Sequence, residues 1–186
     1  MQHEIIISGF GGQGALFAGQ LLAYAAMEED KHVTWIPSYG PEMRGGTAHC
    51  IVIVSDEEIG SPLVRNPSAA IVLNNPSMEK YQPLVKPQGY LLINRSLINL
   101  PVTRRDIHAI DLQASDEAAA LGDAKLMNSI MLGALVACAG VVSIEAIERA
   151  LDSHLSDRHR NLLELNKQAL RRGAELARQQ LASVPT

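Results

Sequence analysis

The chain has 186 residues, of which 47% are hydrophobic and 19% charged, with sixteen Lys and Arg against twenty Asp and Glu. This composition excludes a largely disordered chain and suits one globular domain spanning residues 1–186. The net charge of −4 and the few aromatic residues (one Trp, four Tyr, two Phe) argue against a nucleic-acid-binding protein, which needs basic surfaces and stacking platforms.

The first half of the chain alternates short apolar runs with one helical segment. The pattern predicts a buried strand over residues 4–8, a helix over 15–27 and a second strand over 33–36. Residues 37–46 contain two prolines and three glycines, which predicts an irregular segment. A third strand is predicted over 47–54, and because no crossover helix follows it, one antiparallel pair is expected.

The second half continues the alternation. Asn75 and Pro76 predict a helix start, with Asn75 as the cap and Pro76 at the first helical position. A short helix is expected to open at residues 115–117. Further strands are predicted over 69–73, 90–93 and 107–112, and further helices over 124–139, from Ser143 to about 155 and from 156 or 157 to about 181.

The helix predicted over 124–139 belongs to a segment without charge from Leu126 to Ile144. Its length approaches that of a membrane span. Small residues recur along it at helical spacing, which favours a buried core helix and no membrane span. The whole pattern predicts an α/β fold: a three-layer α/β/α sandwich with a mostly parallel, mixed sheet, a Rossmann-like first βα unit and C-terminal helices at about 143–182.

The two cysteines, Cys50 and Cys138, lie far apart within apolar runs and form no CxxC motif. They indicate small buried side chains in a reducing compartment, so neither an iron–sulfur cluster nor a zinc site is expected on this chain alone. The six histidines show no metal-binding spacing. The segment 1–7 lacks the basic start and the length of a secretory signal, and we expect a cytoplasmic protein.

A glycine loop follows the first predicted strand. Gly9, Gly11 and Gly14 match GxGxxG between a strand and a helix, where backbone amides can approach an anion at a helix start. No acidic residue follows the second predicted strand, which argues against a standard dinucleotide or S-adenosylmethionine site. Contact with an anion or cofactor and a purely structural turn both stay open. Gln13 could donate to an anion or to a neighbouring chain.

A second glycine-rich segment runs from Tyr39 to Gly46 after the second strand, where open α/β sheets bind ligands. Arg44 carries a fork suited to carboxylate or phosphate. Glu42 could handle a proton or pair with Arg44, and Gly45 and Gly46 leave room for close approach. The alternatives are a ligand or subunit contact and a self-contained turn.

Together the two segments resemble the gamma subunits of 2-oxoacid:ferredoxin (acceptor) oxidoreductases. The resemblance covers nearly the whole chain and is carried by four motifs. They are Gly9-Phe10-Gly11-Gly12-Gln13-Gly14, Ser38-Tyr39-Gly40-Pro41-Glu42-Met43-Arg44-Gly45-Gly46, Ile59-Gly60-Ser61-Pro62, and Leu126-Met127-Asn128 through Leu132-Gly133-Ala134.

The resemblance implies a complex that converts a 2-oxoacid, coenzyme A and an oxidised acceptor to an acyl-coenzyme A, CO2 and a reduced acceptor. Thiamine diphosphate, magnesium and iron–sulfur clusters would lie on partner alpha and beta subunits, or on a delta or ferredoxin-like subunit, with ferredoxin or another acceptor taking the electrons. This chain would bind no cofactor alone and would be inactive alone. A further copy of the chain is also a candidate partner.

The resemblance implies no catalytic residue and no metal ligand on this chain. It does suggest contacts to coenzyme A or to the thiamine channel. The length of the chain and the absence of a fused ferredoxin segment suggest a separate subunit, which favours the 2-oxoglutarate type slightly. The candidate residues are Gly11, Gly12, Gln13, Gly14, Tyr39, Glu42, Arg44, Gly45, Gly46 and Asn128. The alternatives are a pure assembly module of the same complex and an independent nucleotide- or S-adenosylmethionine-binding Rossmann-like enzyme.

Overall fold

A computed structural model describes residues 1–40 and 46–183. Six strands form one sheet in the order β2-β3-β1-β4-β5-β6. The strands are β1 (Gln2–Phe10), β2 (His32–Tyr39), β3 (Thr47–Ser55), β4 (Ala69–Val72), β5 (Tyr90–Asn94) and β6 (His108–Leu112). The helices are α1 (Ala15–Glu28), α2 (Asn75–Tyr81), α3 (Ala114–Leu121), α4 (Met127–Ala139), α5 (Ile144–His154) and α6 (Leu163–Ser183).

The sheet is mixed, as predicted. Strands β1, β4, β5 and β6 pair in parallel, and β3 lies antiparallel between β1 and β2. The connection from β2 to β3 and the connection from β3 to β4 contain no α-helix in the described part of the chain. Antiparallel neighbours can be joined without a crossover helix, whereas parallel neighbours need one. The absence of a helix pattern after the third strand predicted one antiparallel pair, and the sheet contains two, because β3 pairs with both β1 and β2.

Side chains that alternate along the strands enter two separate apolar layers. Ile5 and Ile7 of β1 belong to a large cluster with α1, α3, α4, α5 and α6, whereas Ile6 belongs to a smaller cluster with Met78 and Tyr81 of α2. Helices therefore cover both faces of the sheet, and the predicted three-layer architecture is confirmed. The alanine-rich helix α1 can approach the sheet closely because its side chains are small.

The prediction that residues 37–46 are irregular throughout is wrong for the first three. Pro37, Ser38 and Tyr39 belong to β2, and Pro37 is paired with Cys50 of β3. Strand β2 is the edge of the sheet. Proline lacks an N–H, and an edge strand tolerates it because one side of that strand has no neighbour to receive a hydrogen bond.

Two helix starts also differ from the prediction. Asn74, not Asn75, caps α2: its Oδ1 accepts a hydrogen bond from the N–H of Ser77 at 2.9 Å. A 3-10 turn (Asp157–Leu162) precedes α6, so the last helix begins later than residue 156 or 157. Tight turns of this kind are common at helix starts. Another (Ala124–Leu126) precedes α4, whereas Ser143 caps α5 as predicted.

Helices α4 and α6 cross at two glycines. A Cβ atom on Gly133 would overlap with the carbonyl oxygen of Leu170, and a Cβ on Gly173 would overlap with the carbonyl oxygen of Ile130. The two backbones are therefore in direct contact. This crossing explains why the uncharged segment is a core helix: α4 is buried between the sheet and α6. Among the described residues, no helix is long and apolar enough to cross a membrane.

Candidate ligand site at the carboxyl ends of the strands

The chain leaves β1 and β4 toward opposite faces of the sheet. Strand β1 leads to α1, which packs in the large cluster, and β4 leads to α2, which packs in the smaller one. Because β1 and β4 are parallel neighbours, a crevice opens between their carboxyl ends. Open α/β sheets bind ligands at such a point. The glycine loop and Asn74 both lie at these strand ends.

Two amides of the glycine loop already have partners within the protein. The N–H of Gly11 donates to the carbonyl oxygen of Gly46 at 3.0 Å, and the N–H of Gln13 donates to that of Phe10 at 3.1 Å. The amides of Gly12 and Gly14 have no hydrogen-bond partner among the described residues. Both precede α1, whose first turn contains no acidic residue. The start of α1 therefore offers two amides to an anion, and Gly11 and Gln13 supply none.

Gln13 holds the loop in shape. Its Oε1 accepts a hydrogen bond from the N–H of Phe10 at 2.6 Å, and its Nε2 donates to the carbonyl oxygen of Leu73 at 3.2 Å. A Cβ on Gly9 would lie 2.9 Å from the Cβ of Leu73 and against Gln13 itself. Gln13 thus joins the loop to the end of β4, and both polar atoms of its amide already have protein partners.

Asn128 brings helix α4 against the loop. Its Nδ2 lies 3.5 Å from the carbonyl oxygen of Gly14, and a Cβ on Gly14 would overlap with that nitrogen. Polar groups continue from Asn128 into the core. Ser129 Oγ lies 3.3 Å from Asn128 Oδ1 and 2.7 Å from Asn166 Oδ1, and Asn166 Nδ2 donates to the carbonyl oxygen of Leu162. These bonds join the starts of α1, α4 and α6.

The second glycine-rich segment meets the first through Gly46, whose carbonyl oxygen holds Gly11. Tyr39 ends β2 with 74% of its surface exposed, and Gly40 donates to the carbonyl oxygen of Thr47. Three other candidates, Glu42, Arg44 and Gly45, lie outside the described residues. The structure therefore shows contact between the two segments at their ends. The role of Arg44 stays a prediction from the sequence.

A cavity of about 650 Å³ opens beside the glycine loop, on the side of α1 and α4. Its volume falls in the range of small-molecule sites. Gly12, Gln13 and Asn128 line it, so three of the predicted residues share one cavity. Its other lining residues are Phe17, Gln20, Leu97, Ser115, Ala124, Lys125, Leu126, Met127, His154, Leu155, Ser156, His159, Leu162 and Asn166.

Sequence reasoning missed most of this lining. Four of the missed residues lie between 111 and 152 residues after Gly14: Lys125, His154, His159 and Asn166. The sequence around them matches no known binding motif. The sequence held one usable hint, namely that the segment from 154 to 160 contains two histidines and two arginines beside a predicted helix start. Asn74 was also missed: it is 3% exposed, and its Nδ2 has no hydrogen-bond partner among the described residues.

Neither cysteine has the character of a reactive thiol. Burial raises the pKa of Cys50 to about 12 and that of Cys138 to about 11, so both stay protonated at neutral pH. Near Tyr81 of α2, burial and the charge of Lys80 lower the pKa of His49. Within residues 1–40 and 46–183, no group of three His, Cys, Asp or Glu side chains could hold a metal ion.

A family model described as pyruvate ferredoxin/flavodoxin oxidoreductase matches residues 4–176. The chain belongs to this family. The match covers the glycine loop, all of the sheet beyond its first residues, and the start of every helix. The resemblance drawn from the two glycine-rich segments is therefore confirmed.

Two family members show how far the similarity extends. The chain is 34% identical over 180 residues to ketoisovalerate oxidoreductase subunit VorA of Methanothermobacter thermautotrophicus, covering 96% of this chain and 37% of VorA. It is 34% identical over 185 residues to 2-oxoglutarate synthase subunit KorC of Methanocaldococcus jannaschii, covering 96% of each chain. The chain thus spans little more than a third of the VorA relative and nearly all of the KorC relative.

A solved family structure has the same fold. The gamma subunit of a keto/oxoacid ferredoxin oxidoreductase from Geobacter sulfurreducens is 32% identical, with a TM-score of 0.81. The similarity covers 95% of this chain and 99% of that subunit. The chain, with its mixed six-stranded sheet and helices, therefore has the fold of the Geobacter gamma subunit.

Proposed function

We propose that the chain is the gamma subunit of a thiamine-diphosphate-dependent 2-oxoacid:ferredoxin oxidoreductase complex. The complex would convert a 2-oxoacid, coenzyme A and an oxidised acceptor to acyl-coenzyme A, CO2 and a reduced acceptor. The observation that carries the proposal is the family match over residues 4–176. Inside the matched region, the two glycine-rich segments meet at the carboxyl ends of the strands, which supports a ligand-binding role for them.

The catalytic cofactors belong, in this proposal, to partner chains. Alpha and beta subunits carry thiamine diphosphate and magnesium, and these or a delta or ferredoxin-like subunit carry the iron–sulfur clusters. Ferredoxin or another acceptor takes the electrons, and the isolated chain is inactive. The cysteine count supports this division, because an iron–sulfur cluster is held by four ligands, most often thiolates, and the chain contains only Cys50 and Cys138.

The proposed substrate is 2-oxoglutarate. The KorC relative, a 2-oxoglutarate synthase subunit, aligns along nearly its whole length with this chain. Ketoisovalerate is the competing substrate, because the VorA relative is equally identical over the shared region. We assign substrate selection to the partner chains, so a substrate panel on the assembled complex decides between the two.

The proposed contribution of this chain is to hold coenzyme A. Its diphosphate would accept hydrogen bonds from the amides of Gly12 and Gly14, at the positive end of α1. The cavity beside the loop would take part of the remaining molecule. From the sequence, Arg44 would add a cationic fork, with Glu42 and Gly45 beside it.

Co-purification tests the complex directly. The tagged chain, expressed in its source organism, should retain chains that carry thiamine diphosphate and iron–sulfur clusters. The purified assembly should then form succinyl-coenzyme A and reduce a viologen dye with 2-oxoglutarate. Recovery of the chain alone, together with tight binding of S-adenosylmethionine or NAD, would contradict the proposal and favour an independent nucleotide-binding enzyme.

Arg44→Ala tests the contact with coenzyme A. In the assembled complex, we expect the KM for coenzyme A to rise about tenfold, the size of one lost charge-assisted hydrogen bond. Arg65→Ala is the matched control, because Arg65 is exposed and precedes β4 at the opposite end of the sheet. Unchanged KM and turnover in Arg44→Ala would exclude a role for Arg44.

A further inference from the structure

The two edges of the sheet differ in how their backbone groups are covered. At the β6 edge, Gln180 Oε1 accepts a hydrogen bond from the Asp111 N–H at 3.0 Å, and Gln180 Nε2 donates to the Asp111 carbonyl oxygen. One side chain of α6 thus occupies both backbone groups of Asp111, as a neighbouring strand would. The β2 edge receives no such cover from the described residues. Uncovered edges offer their backbone groups to a further strand.

A hydrogen bond at the end of β2 shows which of its backbone groups face outward. The N–H of Gly40 donates to the carbonyl oxygen of Thr47 at 2.8 Å, in register with the pairing of β2 and β3. Because backbone groups of successive residues in a strand point to opposite sides, the even-numbered residues of β2 bond to β3. The odd-numbered residues face away from the sheet. They are Val33, Trp35, Pro37 and Tyr39.

The outward side of β2 therefore has its own set of unpaired backbone groups. Pro37 has no N–H, so the four residues offer three N–H groups and four carbonyl oxygens. None of these groups has a hydrogen-bond partner within residues 1–40 and 46–183. The position of Pro37 agrees with this assignment, because its missing N–H falls on the side that has no neighbouring strand.

The same edge carries exposed apolar surface and no charge. Ile36 is 36% exposed and Tyr39 is 74% exposed. Ile36 pairs with Ile51, which packs in the smaller cluster with α2, whereas Trp35 packs in the large cluster. No residue of β2 is Asp, Glu, Lys or Arg. Charged side chains commonly protect the edges of sheets, so β2 lacks one of the usual barriers to a further strand.

Strand β2 is complementary to a second copy of itself. In an antiparallel pair with Ile36 on the twofold axis, Val33 of one copy lies opposite Tyr39 of the other and exchanges two hydrogen bonds with it. The Trp35 N–H donates to the carbonyl oxygen of Pro37 in the other copy. All three outward N–H groups of each copy are then paired, which gives six hydrogen bonds between the copies. Only the Trp35 carbonyl oxygen has no N–H opposite it.

Side chains also fit this register. Ile36 lies directly opposite Ile36 of the second copy, in a pair without hydrogen bonds, where Cα atoms are about 4.5 Å apart. Each isoleucine thus covers the exposed surface of the other. A register with Trp35 on the axis forms only four hydrogen bonds between the two β2 strands, because Tyr39 then extends past the end of the other strand. The register centred on Ile36 is therefore favoured.

We propose that two copies of the chain associate through antiparallel pairing of β2 with β2, with Ile36 on the twofold axis. The two six-stranded sheets then join into one continuous sheet. The same surface serves in both copies, so the contact closes at two chains. A contact of one strand pair is small, and we expect a dissociation constant in the micromolar range. The inference uses only the groups of β2 and does not depend on the proposed function.

Sedimentation equilibrium of the full chain tests the association. Between about 1 and 100 µM, the apparent mass should rise from the 20.1 kDa of one chain toward twice that value. Ile36→Lys should keep the chain monomeric, because it would place two ammonium groups opposite each other on the axis. Leu63→Lys is the matched control: Leu63 is 78% exposed and lies outside the helices and strands, so this variant should dimerise as wild type does.

Two outcomes of this experiment would overturn the inference. One is a wild-type chain that stays monomeric at about 100 µM, which would leave the β2 edge to a strand of another subunit. The other is an Ile36→Lys variant that dimerises as strongly as wild type, which would place the contact elsewhere on the chain.

Disulfide formation tests the register and does not depend on the folding of Ile36→Lys. The background is Cys138→Ser, which removes the less buried of the two native thiols. Oxidation should link Ile36→Cys into a covalent dimer, because Cα atoms about 4.5 Å apart allow a disulfide. Thr34→Cys alone should stay unlinked, whereas a mixture of Thr34→Cys and Ser38→Cys should link, since these positions lie opposite each other. Absence of a link in Ile36→Cys, together with a link in Thr34→Cys alone, would overturn the proposed pairing.

Discussion

Gly12 and Gly14 lie in a turn with φ values of 92° and 80°, whereas Gly133 and Gly173 lie inside two crossing helices. The loop glycines adopt a backbone conformation that other residues rarely adopt. The helix glycines have ordinary helical backbones and lack a Cβ because a neighbouring carbonyl oxygen occupies its place. One residue type thus serves the site in the first region and the packing of the fold in the second.

This difference separates effects on binding from effects on stability. A substitution at the helix crossing should destabilise the chain without touching the ligand site. A substitution at Gly12 should weaken ligand binding with little loss of stability, because no atom lies within 4 Å of the position that its Cβ would occupy. Gly14 lies between these cases, since it combines a positive φ with close contact to Asn128. The variants below test this separation, from the largest expected effect to the smallest.

Gly133→Ala and Gly173→Ala should have the largest effect on stability. Each new methyl group would force α4 and α6 apart, and overpacking of this kind costs about 3 kcal/mol, offset by roughly 1 kcal/mol of helix propensity. We expect the free energy of unfolding in urea to fall by about 2 kcal/mol or more. Gly19→Ala is the matched control, because its Cβ meets the side chains of Cys50, Trp35 and Val52 and no carbonyl oxygen. A smaller loss in Gly133→Ala than in Gly19→Ala would contradict the backbone contact.

Gly14→Ala should lose about 2 kcal/mol, from left-handed backbone strain and from overlap with Asn128. In an Asn128→Ala background the overlap disappears, and the cost should fall to about 1 kcal/mol, the strain alone. A double-mutant cycle in urea measures the difference. Strict additivity of the two substitutions would show that Asn128 does not limit the size of residue 14.

Glu117→Gln should have a smaller effect, confined to the packing of α6. Arg172, next to Gly173, donates from Nε and NH2 to the Glu117 carboxylate at 2.8 and 3.1 Å, and this pairing lowers the pKa of Glu117. We expect a loss of about 1 kcal/mol or less at pH 7, as for other partly exposed pairs. Glu175→Gln, which removes the more exposed partner of Arg172, should cost less.

The pH dependence of this pair follows from the direction of the pKa change. Because the pKa of Glu117 is lower in the folded chain than its ordinary value of 4.5, the pair stabilises the fold fully above that value. The stabilisation is lost as the pH falls through the folded pKa. The difference in unfolding free energy between wild type and Glu117→Gln should therefore shrink below about pH 4.5. A difference that stays constant down to pH 3 would contradict this.

The rate of thiol labelling should change least among these measurements. It reports which part of the fold becomes accessible to a reagent in a destabilised variant. At pH 8, Cys50 should not react with Ellman's reagent in the folded chain, because burial raises its pKa to about 12. Cys138 is half-buried, with a pKa of about 11, and should react slowly. In Gly133→Ala, Cys50 should stay protected, since it lies beneath α1. Rapid labelling of Cys50 in that variant would show that the crossing and the sheet open together.

Regular elements were predictable wherever local pattern and packing agree. The Ile-rich β1, the alanine-rich α1 and the Ser143 cap follow from local chemistry. Pro37 misled the prediction because proline is tolerated in an edge strand. Whether a strand lies at the edge depends on the strand order, which the local sequence does not reveal. Asn74 and Asn75 are adjacent and both suited to a cap, so propensity alone could not choose between them.

The candidate site was predictable in its glycine segments and at Asn128. Gly12 and Gly14 could be placed at a turn before a helix start because GxGxxG between a strand and a helix is a local signal. Lys125 and His159 could not be found, because the packing of α4, α5 and α6 brings them to the cavity. The hydrogen bond from Gln13 to the carbonyl oxygen of Leu73 was equally unpredictable, since the partner lies 60 residues away along the chain.

The most direct test of the proposed separation is the KM for coenzyme A of a complex assembled with Gly12→Ala. A positive φ disfavours alanine, so the loop amides should turn away from the ligand at a cost of only about 1 kcal/mol in stability. We predict a KM at least tenfold higher than that of wild type. A KM within twofold of wild type, in a variant with the same small loss of stability, would show that the amides of the glycine loop do not bind coenzyme A.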